Sequence, residues 1–360
     1  MNPMNYSILL TFDVEDWFQV ENFKKCIPFS SWPKCELRVE KNVHRILDLL
    51  DSIKLSNSTD SKNVSREAPA CGRQASRRWS KPTNPSNPMN PTNPSNPTNP
   101  TNPSNPTNPM NSINPSNSIN PKATFFILGW LAERLPHLVR EIQARGHEVA
   151  SHGYDHVLCR EQSAEDLKND LLKSKKLLED ITGAPIYGYR APGFSVNRNI
   201  LSLIEGEGYL YDSSFNSFRL NKRYGQIELN GNNGNGILHK ISDSFYEFPI
   251  TNLKIGKQIL PWGGGGYFRL IPSFLFRYGV QSILKNQGAY LFYLHPWEID
   301  SGQPRVTGVP VPYRFRHYIN ISKTLDKLAH LLEKLKNCQF QACYQYLTEK
   351  IAALNNLLSQ

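Results

Sequence analysis

The sequence predicts an α/β domain built around a mainly parallel sheet, which is either open or closed into a barrel. Short apolar runs alternate with segments whose apolar residues recur every three or four positions, as expected where strands alternate with helices. Residues 57–121 are poor in apolar side chains, and the other 295 of the 360 residues are a usual size for one such domain. We therefore predict a single domain formed by residues 1–56 and 122–360 and interrupted by an insert.

Apolar runs that are too short for helices mark the predicted strands. The first run stops at Asp13, and the second, at residues 123–128, is almost wholly apolar, which is typical of a buried parallel strand. The predicted strands are residues 7–12, 123–128, 147–151, 186–189, 209–211 and 289–294.

Helices are predicted from apolar periodicity and from end signals. Ser163 with Asp166 forms a capping box that opens a helix, and Gly183 ends it. Gly146 closes the helix before it. The apolar faces lie at residues 43–53, 135–142 and 167–181, in a short helix near Ile200, and in a last helix at 325–335.

The insert at residues 57–121 has low sequence complexity. Between Pro82 and Pro109 it repeats Asn-Pro-Thr or Asn-Pro-Ser with a period of three. Proline donates no backbone hydrogen bond, and the tract has almost no apolar surface to bury. We therefore predict a solvated, extended segment between a helix and the following strand.

We expect this insert to be dispensable for folding and catalysis. Loop-closure entropy grows only with the logarithm of loop length, so replacing the insert with about five residues should stabilise the fold by roughly 2 kcal/mol or less. The deletion variant should keep its turnover on a small substrate and melt at the same or a slightly higher temperature. A variant that folds but loses activity on small and large substrates alike would place the insert at the active-site mouth.

Composition argues against several classes of protein. The net charge of +10 falls to +6 outside the insert, and no dense basic run is interleaved with aromatic residues, which argues against nucleic-acid binding. The apolar run before Asp13 is shorter than that of a signal peptide, and no stretch is long enough to span a membrane. The six cysteines lack CxxC spacing, as expected of reduced thiols. We predict a cytoplasmic protein without a transmembrane segment.

Polar or titratable side chains follow five of the predicted strands. The carboxyl ends of parallel strands meet at one rim, where α/β folds bind their ligands. We therefore expect these five side chains to converge on one site. They belong to Asp13, His152, Arg190, Asp212 and His295.

The spacing of two histidines indicates a metal site. His152 and His156 are four residues apart, so one turn can direct both imidazoles at one ion. The acidic cluster at residues 13–16 can supply a carboxylate ligand. Two imidazoles, one carboxylate and an open fourth position are the ligand set of a catalytic zinc, and a spare carboxylate can act as general base.

Four motifs, in their order and approximate spacing, resemble those of the polysaccharide deacetylases of carbohydrate esterase family 4, the NodB-type domain. They are Thr-Phe-Asp at 11–13 followed by acids, Ser-His-Gly-Tyr-Asp-His at 151–156, Arg-Ala-Pro-Gly-Phe at 190–194 and Leu-His-Pro-Trp-Glu at 294–298. Residues 13–18 and 262–270 look like the branch associated with exosortase and exopolysaccharide loci. The resemblance covers nearly the whole chain outside the insert.

The resemblance implies a distorted (β/α) barrel, a divalent metal usually taken as zinc, and hydrolysis of the acetamide of an N-acetylated sugar. It also implies a polysaccharide or oligosaccharide as partner, with association with membrane-bound exopolysaccharide machinery. The roles carried over are the catalytic base for Asp13, metal ligands for His152 and His156, orientation of the base for Arg190, oxyanion binding by the backbone N–H of Gly193, and the general acid for His295.

One position departs from the family pattern. The family has two adjacent aspartates, of which the second binds the metal, whereas Val14 occupies the second position here. Alternate residues of a strand face the same side, so Glu15 should lie on the side of Asp13. Glu15 is therefore the first choice for the metal carboxylate, and Asp16, at the turn, is the second.

Further side chains are candidates for contacts with the substrate. Trp262, Tyr267 and Trp297 offer aromatic faces on which a sugar can stack, although the glycine-rich stretch among them equally fits a tight turn between packed elements. Tyr154 and Asp212, at the predicted rim, complete the set.

The motifs leave three functions open. The first is a metal-dependent glycan N-deacetylase, and the second is a hydrolase of a small cyclic or linear amide on the same barrel. The third is a non-catalytic carbohydrate-binding homologue that has lost its metal, which the valine at position 14 makes conceivable. Aromatic residues at the predicted mouth favour a sugar over a small amide.

Overall fold

The computed structural model describes residues 6–55, 120–218, 224, 227 and 236–358. The predicted insert, apart from its last two residues, lies outside these ranges. The strands are β1 (Ser7–Val14), β2 (Ala123–Ile127), β3 (Glu148–Ser151), β4 (Gly188–Tyr189), β5 (Tyr211–Asp212), β6 (His239–Lys240), β7 (Tyr246–Glu247), β8 (Leu253–Ile255), β9 (Gln258–Leu260), β10 (Ala289–Leu294) and β11 (Gln339–Phe340). The helices are α1 (Val39–Ser52), α2 (Gly129–Arg134), α3 (Pro136–Ala144), α4 (Ala164–Thr182), α5 (Arg198–Gly206), α6 (Gly265–Leu270), α7 (Ser273–Gln287), α8 (Val311–Tyr318), α9 (Thr324–Leu335) and α10 (Cys343–Leu358).

The main sheet is curled and largely parallel. Its order is β10-β1-β2-β3-β4-β5-β7-β6, and β11 adds a short parallel pair to β1. Within the described part of this sheet, only β6 and β7 pair antiparallel. The end strands β10 and β6 are not paired with each other there, so the sheet forms an open half-barrel. The predicted α/β fold of the distorted-barrel type is confirmed.

The predicted elements agree with the structure except at their ends and near the C-terminus. β1 is two residues longer than predicted because Asp13 and Val14 continue the pairing with β2. The Ser163 side chain caps α4 by accepting from the Asp166 N–H, and the left-handed Gly183 ends it. The prediction that α9 is the last helix is wrong, because α10 follows it. The apolar residues of α10 segregate less sharply to one face than those of α9, which weakens the signal in the sequence.

The alternation of side chains along β1 separates two apolar layers. Leu10, Phe12 and Val14 pack with the surrounding helices in the larger core. Leu9 faces the concave side, in a smaller core with Tyr346 and Leu347 of α10. Because α10 fills the concave side near the start of β1, the site at the end of β1 stays accessible.

Two findings concern membrane-spanning helices and the state of the cysteines. Searched over the described residues, none of the helices is both long enough and apolar enough to cross a bilayer. Five of the six cysteines lie in the described ranges, and these five are free thiols, as predicted.

Candidate metal and catalytic site

The carboxyl end of β1 directs two acidic side chains into one cavity. Val14 is buried in the larger core, so its neighbours Asp13 and Glu15 both point to the opposite, concave side. The two carboxylates are 1% and 4% exposed, respectively. A carboxylate buried this deeply needs charged or hydrogen-bonding partners, and Asp13 and Glu15 each have their own partners.

Glu15 contacts two imidazoles. Its Oε1 atom lies 3.0 Å from His152 Nε2 and 3.0 Å from His156 Nε2. One ligand atom from each of these three residues lies within 4.8 Å of the other two, which is a geometry that can hold a metal ion. His152 Nδ1 lies 2.7 Å from the backbone oxygen of Arg190 and must donate to it, which leaves Nε2 as the coordinating nitrogen.

The turn after β3 brings both histidines to the cavity. Gly153 has a φ of 73°, and His156 has a φ of 55°, a left-handed value that is uncommon for a residue with a side chain. The Asp170 carboxylate accepts from the Tyr154 N–H and so holds the turn in place. Strained backbone of this kind concentrates at functional sites, where the surrounding structure stabilises it.

Glu15 and His156 stabilise each other's charged forms. Burial alone would raise the pKa of Glu15, but His156, His295 and His152 hold it well below its usual range. Burial would likewise lower the pKa of His156, but the charge of Glu15 raises it. The ionised carboxylate is the form of Glu15 that can bind a metal.

Arg190 holds Asp13 in a fixed orientation. The arginine is fully buried, and its Nη1 donates to Asp13 Oδ1 at 2.6 Å and to Thr11 Oγ1 at 2.7 Å. Its remaining donors bind the backbone oxygen and the hydroxyl of Ser213. With Oδ1 engaged, Asp13 presents Oδ2 to the cavity, 3.7 Å from His295 Nε2.

His295 stands at the head of a buried chain of charges. Its Nδ1 lies 2.8 Å from Glu298 Oε1, and Glu298 Oε2 accepts from Arg269 Nε at 2.8 Å. Burial lowers the pKa of His295, but Glu15 and Glu298 outweigh burial and raise the pKa to about 9. Sequence reasoning did not assign a role to Glu298 or Arg269, although Glu298 is part of the motif at 294–298 and lies three residues after His295.

The cavity around these groups measures about 140 Å³, which is room for a few water molecules or one small acyl group. Gly193 lines it with a φ of 59°, and a Cβ there would come within 2.7 Å of Leu158. Trp297 lines it too, with its ring stacked on His295 at a centroid distance of 5.1 Å. Tyr293 and Arg316 are further lining residues that the sequence analysis did not predict.

Asp16 lies outside the metal-ligand group. Its carboxylate accepts backbone N–H groups at the start of α1, from Arg38 at 2.6 Å and from Val39 at 2.9 Å. Burial raises its pKa to about 6, against these hydrogen bonds. Asp16 therefore orders the loop before α1, and the second choice for the metal carboxylate is not supported.

Three of the predicted substrate-binding residues also lie elsewhere. Trp262 is in the core, stacked on Phe276, and its indole N–H donates to the Phe276 carbonyl. The Tyr154 hydroxyl donates a hydrogen bond to Glu133. Asp212 is fully buried and accepts a hydrogen bond from the Ser214 hydroxyl. Each of these polar groups is satisfied inside the protein, so none is available to a ligand in the cavity.

The remaining candidate, Tyr267, lies beside the cavity rather than in its lining. The guanidinium of Arg316, which does line the cavity, lies 5.4 Å from the centre of the Tyr267 ring. Tyr267 is half-buried, so one part of its ring stays accessible near the mouth.

Comparison with known proteins divides the chain into two matched segments. Residues 112–211, which contain His152, His156 and Arg190, match the family model of polysaccharide deacetylases. Residues 213–348 match a domain of unknown function, DUF3473. The second segment contains the predicted general acid, His295.

Sequence relatives are bacterial and fungal. The chain is 34% identical over 88 residues to a peptidoglycan-N-acetylglucosamine deacetylase of Bacillus cereus, over 24% of this chain and 41% of that protein. It is 37% identical over 93 residues to the peptidoglycan deacetylase-like protein FGM2 of Gibberella zeae, over 26% of this chain and 28% of that protein. The matches thus span less than half the length of these relatives.

A solved structure from Mycobacterium smegmatis, described as a polysaccharide deacetylase, has the same fold. The TM-score is 0.54 at 16% sequence identity, with 98% of this chain and 92% of that chain covered. At this identity the likeness shows the fold alone. In its fold and over residues 112–211, the chain is thus similar to polysaccharide deacetylases of the NodB type, carbohydrate esterase family 4.

Proposed function

We propose that this protein is a metal-dependent hydrolase that removes N-acetyl groups from an amino-sugar-containing polysaccharide or oligosaccharide and releases acetate. The observation that carries the proposal is the convergence of Glu15, His152 and His156 with Asp13 and His295 in one cavity. The name of one relative, a peptidoglycan-N-acetylglucosamine deacetylase, supports the same class of substrate.

The donor set fits a divalent metal, and we expect zinc. Two imidazole nitrogens and one carboxylate oxygen from Glu15, with a cavity in front of them, match the open ligand set of catalytic zinc. When bound, such an ion supplies Lewis acidity that lowers the pKa of a water molecule and polarises a carbonyl group.

Asp13 and His295 move the protons. The free Oδ2 of Asp13 takes a proton from the attacking water, whose oxygen forms a bond to the acetyl carbon. The N–H of Gly193 donates to the oxyanion that develops on the carbonyl oxygen. His295 then donates a proton to the sugar nitrogen as the carbon–nitrogen bond breaks, because an amine anion is a poor leaving group.

We favour an exopolysaccharide or its precursor as substrate, with the sugar against Tyr267, because the Trp297 ring is already stacked between His295 and His317. The motif at residues 262–270, which looks like the exopolysaccharide-associated branch, supports this choice. Association with membrane-bound exopolysaccharide machinery and a cytoplasmic location belong to the same proposal.

Metal analysis combined with an acetate-release assay tests the function. The assay should use N-acetylglucosamine oligomers and an acetylated exopolysaccharide as substrates. We expect bound metal and acetate release from at least one of them. Release of product from small cyclic amides alone would favour the amide hydrolase, and glycan binding without metal or turnover would favour the non-catalytic homologue.

The pairing of His295 with Glu298 predicts a shift in the pH dependence of kcat/KM when Glu298 is replaced. Replacing Glu298 with Gln removes the negative charge 2.8 Å from Nδ1, so the imidazolium is less stable and its pKa falls. The alkaline limb of kcat/KM, which reports loss of the proton from His295, should move to lower pH by about one unit. Rates measured between pH 6 and about 10 check this, and an unchanged alkaline limb would exclude His295 as the acid.

A further inference from the structure

Three consecutive helices, α6 to α8, carry no acidic residue. α6, α7 and α8 together contain five arginines or lysines and no Asp or Glu. By contrast, α4 mixes both signs, with five acidic residues among its 19. Arg269 is buried and paired with Glu298, but the other four basic residues are exposed or half-buried and give the surface formed by these helices a positive charge.

The start of α7 exposes large apolar side chains to solvent. Phe274, Leu275 and Tyr278 are 58%, 46% and 61% exposed, while Phe276 and Val280 on the opposite side are buried in the core. We call these three exposed residues the α7 apolar face. On α8, Val311 and Phe315 are 72% and 59% exposed. Apolar side chains clustered in this way mark an interaction surface rather than ordinary solvent exposure.

A small basic cleft lies beside the α7 apolar face, between α6, α7 and α9. Its polar lining consists of Ser273 and four basic side chains, with no acidic residue: Arg277, Lys327, His330 and Lys334. Lys327 is fixed there because its Nζ donates to the carbonyl oxygens of Phe268 and Ile271. Among the described residues, the Nε atom of Arg277 is buried without a hydrogen-bond partner. Neighbouring basic side chains, one of them with an unused guanidinium N–H, attract a phosphate group.

We propose that the α7 apolar face and the basic cleft together bind the surface of a bilayer that contains anionic phospholipid. The aromatic rings would enter the boundary between headgroups and acyl chains, and the basic side chains around the cleft would contact lipid phosphates from its rim, because the cleft itself, at about 10 Å³, holds no more than one water molecule. Apolar side chains flanked by basic residues, without acids, are the composition of helices that lie in a membrane interface. Arginines and lysines near an anionic leaflet add electrostatic attraction.

The basic cleft and the catalytic cavity are lined by consecutive residues of α6. Phe268 lines the basic cleft, and Arg269, its neighbour on α6, lines the catalytic cavity. A protein bound to a bilayer through α7 therefore holds its catalytic cavity close to that bilayer. A glycan attached to a lipid would be presented there at high local concentration.

Vesicle sedimentation with the full chain tests the inference. We expect binding to vesicles that contain about 30 mol % phosphatidylglycerol, weak binding to pure phosphatidylcholine, and loss of binding as salt rises. Lys334→Gln should weaken the binding about fivefold, the effect of one positive charge at the surface. Phe274→Ser should weaken it about tenfold through lost apolar burial.

Matched controls come from α4. Leu172, which is 50% exposed, gives Leu172→Ser, and Lys168 gives Lys168→Gln; both should bind vesicles as the unmodified chain does. All four variants should keep acetate release from a soluble substrate, so a failure of the proposed function would not be confused with a failure here. The inference is overturned if the unmodified chain does not bind anionic vesicles, or if Phe274→Ser and Lys334→Gln bind them as tightly as the controls do. A Phe274→Ser variant that turns a dimer into a monomer without changing vesicle binding would assign the face to a second copy instead.

Discussion

Replacing either His152 or His156 with alanine should remove bound metal and activity together. Each supplies one of three protein ligands, and Glu15 would be left with one imidazole instead of two at 3.0 Å. Loss of a group that merely orients a ligand already costs about 10- to 100-fold in metal affinity, and loss of the ligand itself should cost more. Metal content of the dialysed protein and acetate release, measured on the same samples, check this.

Surface histidines provide the control for that experiment. His44 and His137 pair with Glu141 and Glu40 at the surface, and neither histidine lines the cavity. Their alanine variants should keep both the metal and the activity. Full metal occupancy in the His152 or His156 variant would show that the ligand assignment is wrong.

The sequence was sufficient for the residues that lie at strand ends. Asp13, His152, Arg190 and His295 follow or end parallel strands, and the geometry of such sheets brings those ends together without knowledge of any side-chain contact. Alternation along β1 was also the reason to prefer Glu15 over Asp16 as the metal carboxylate, and Glu15 lies beside both imidazoles. These inferences depend only on backbone topology and on the two-residue period of a strand.

The sequence was insufficient where packing decides the role of a side chain. Trp262 stands next to four glycines, which fit an open site and a tight turn equally, and its ring packs against another glycine, Gly279 of α7, where a Cβ would come within 2.2 Å of that ring. Tyr154 lies between the two histidines, but its hydroxyl reaches Glu133 on α2. Neither a motif nor a periodicity specifies such contacts, because they are made between residues distant in sequence or on opposite sides of a turn.

Arg269 illustrates the opposite case, a residue that supports the site and leaves no local signal. It lies 29 residues before Glu298, and its remaining donors bind carbonyl oxygens of residues 316, 317 and 319 at the end of α8. An arginine in a helix is ordinarily a surface residue, and only the tertiary fold makes this one a buried partner. Truncating it would leave Glu298 charged and unpaired in the interior.

The two carboxylates at the end of β1 should separate catalysis from metal binding. In Asp13→Asn, the amide oxygen can still accept from Arg190, so the site keeps its shape, but no base remains to take the proton from water. The rate should fall by about 10²- to 10⁴-fold, the usual contribution of a general base, while the metal stays bound. Glu15→Gln should instead lower metal affinity, because its charge lies between the two imidazoles.

Asp16→Asn is the matched control, since it changes a neighbouring carboxylate that accepts from the N–H groups of Trp17, Arg38 and Val39 and lies outside the metal-ligand group. It should keep both metal and rate. Because Arg190 is fully buried, thermal unfolding of Asp13→Asn must be recorded alongside, and a folded protein with full metal and a low rate is the expected result. If Asp13→Asn alone strips the metal while Glu15→Gln retains it, the roles of the two carboxylates are reversed, and the base must be sought in Glu15.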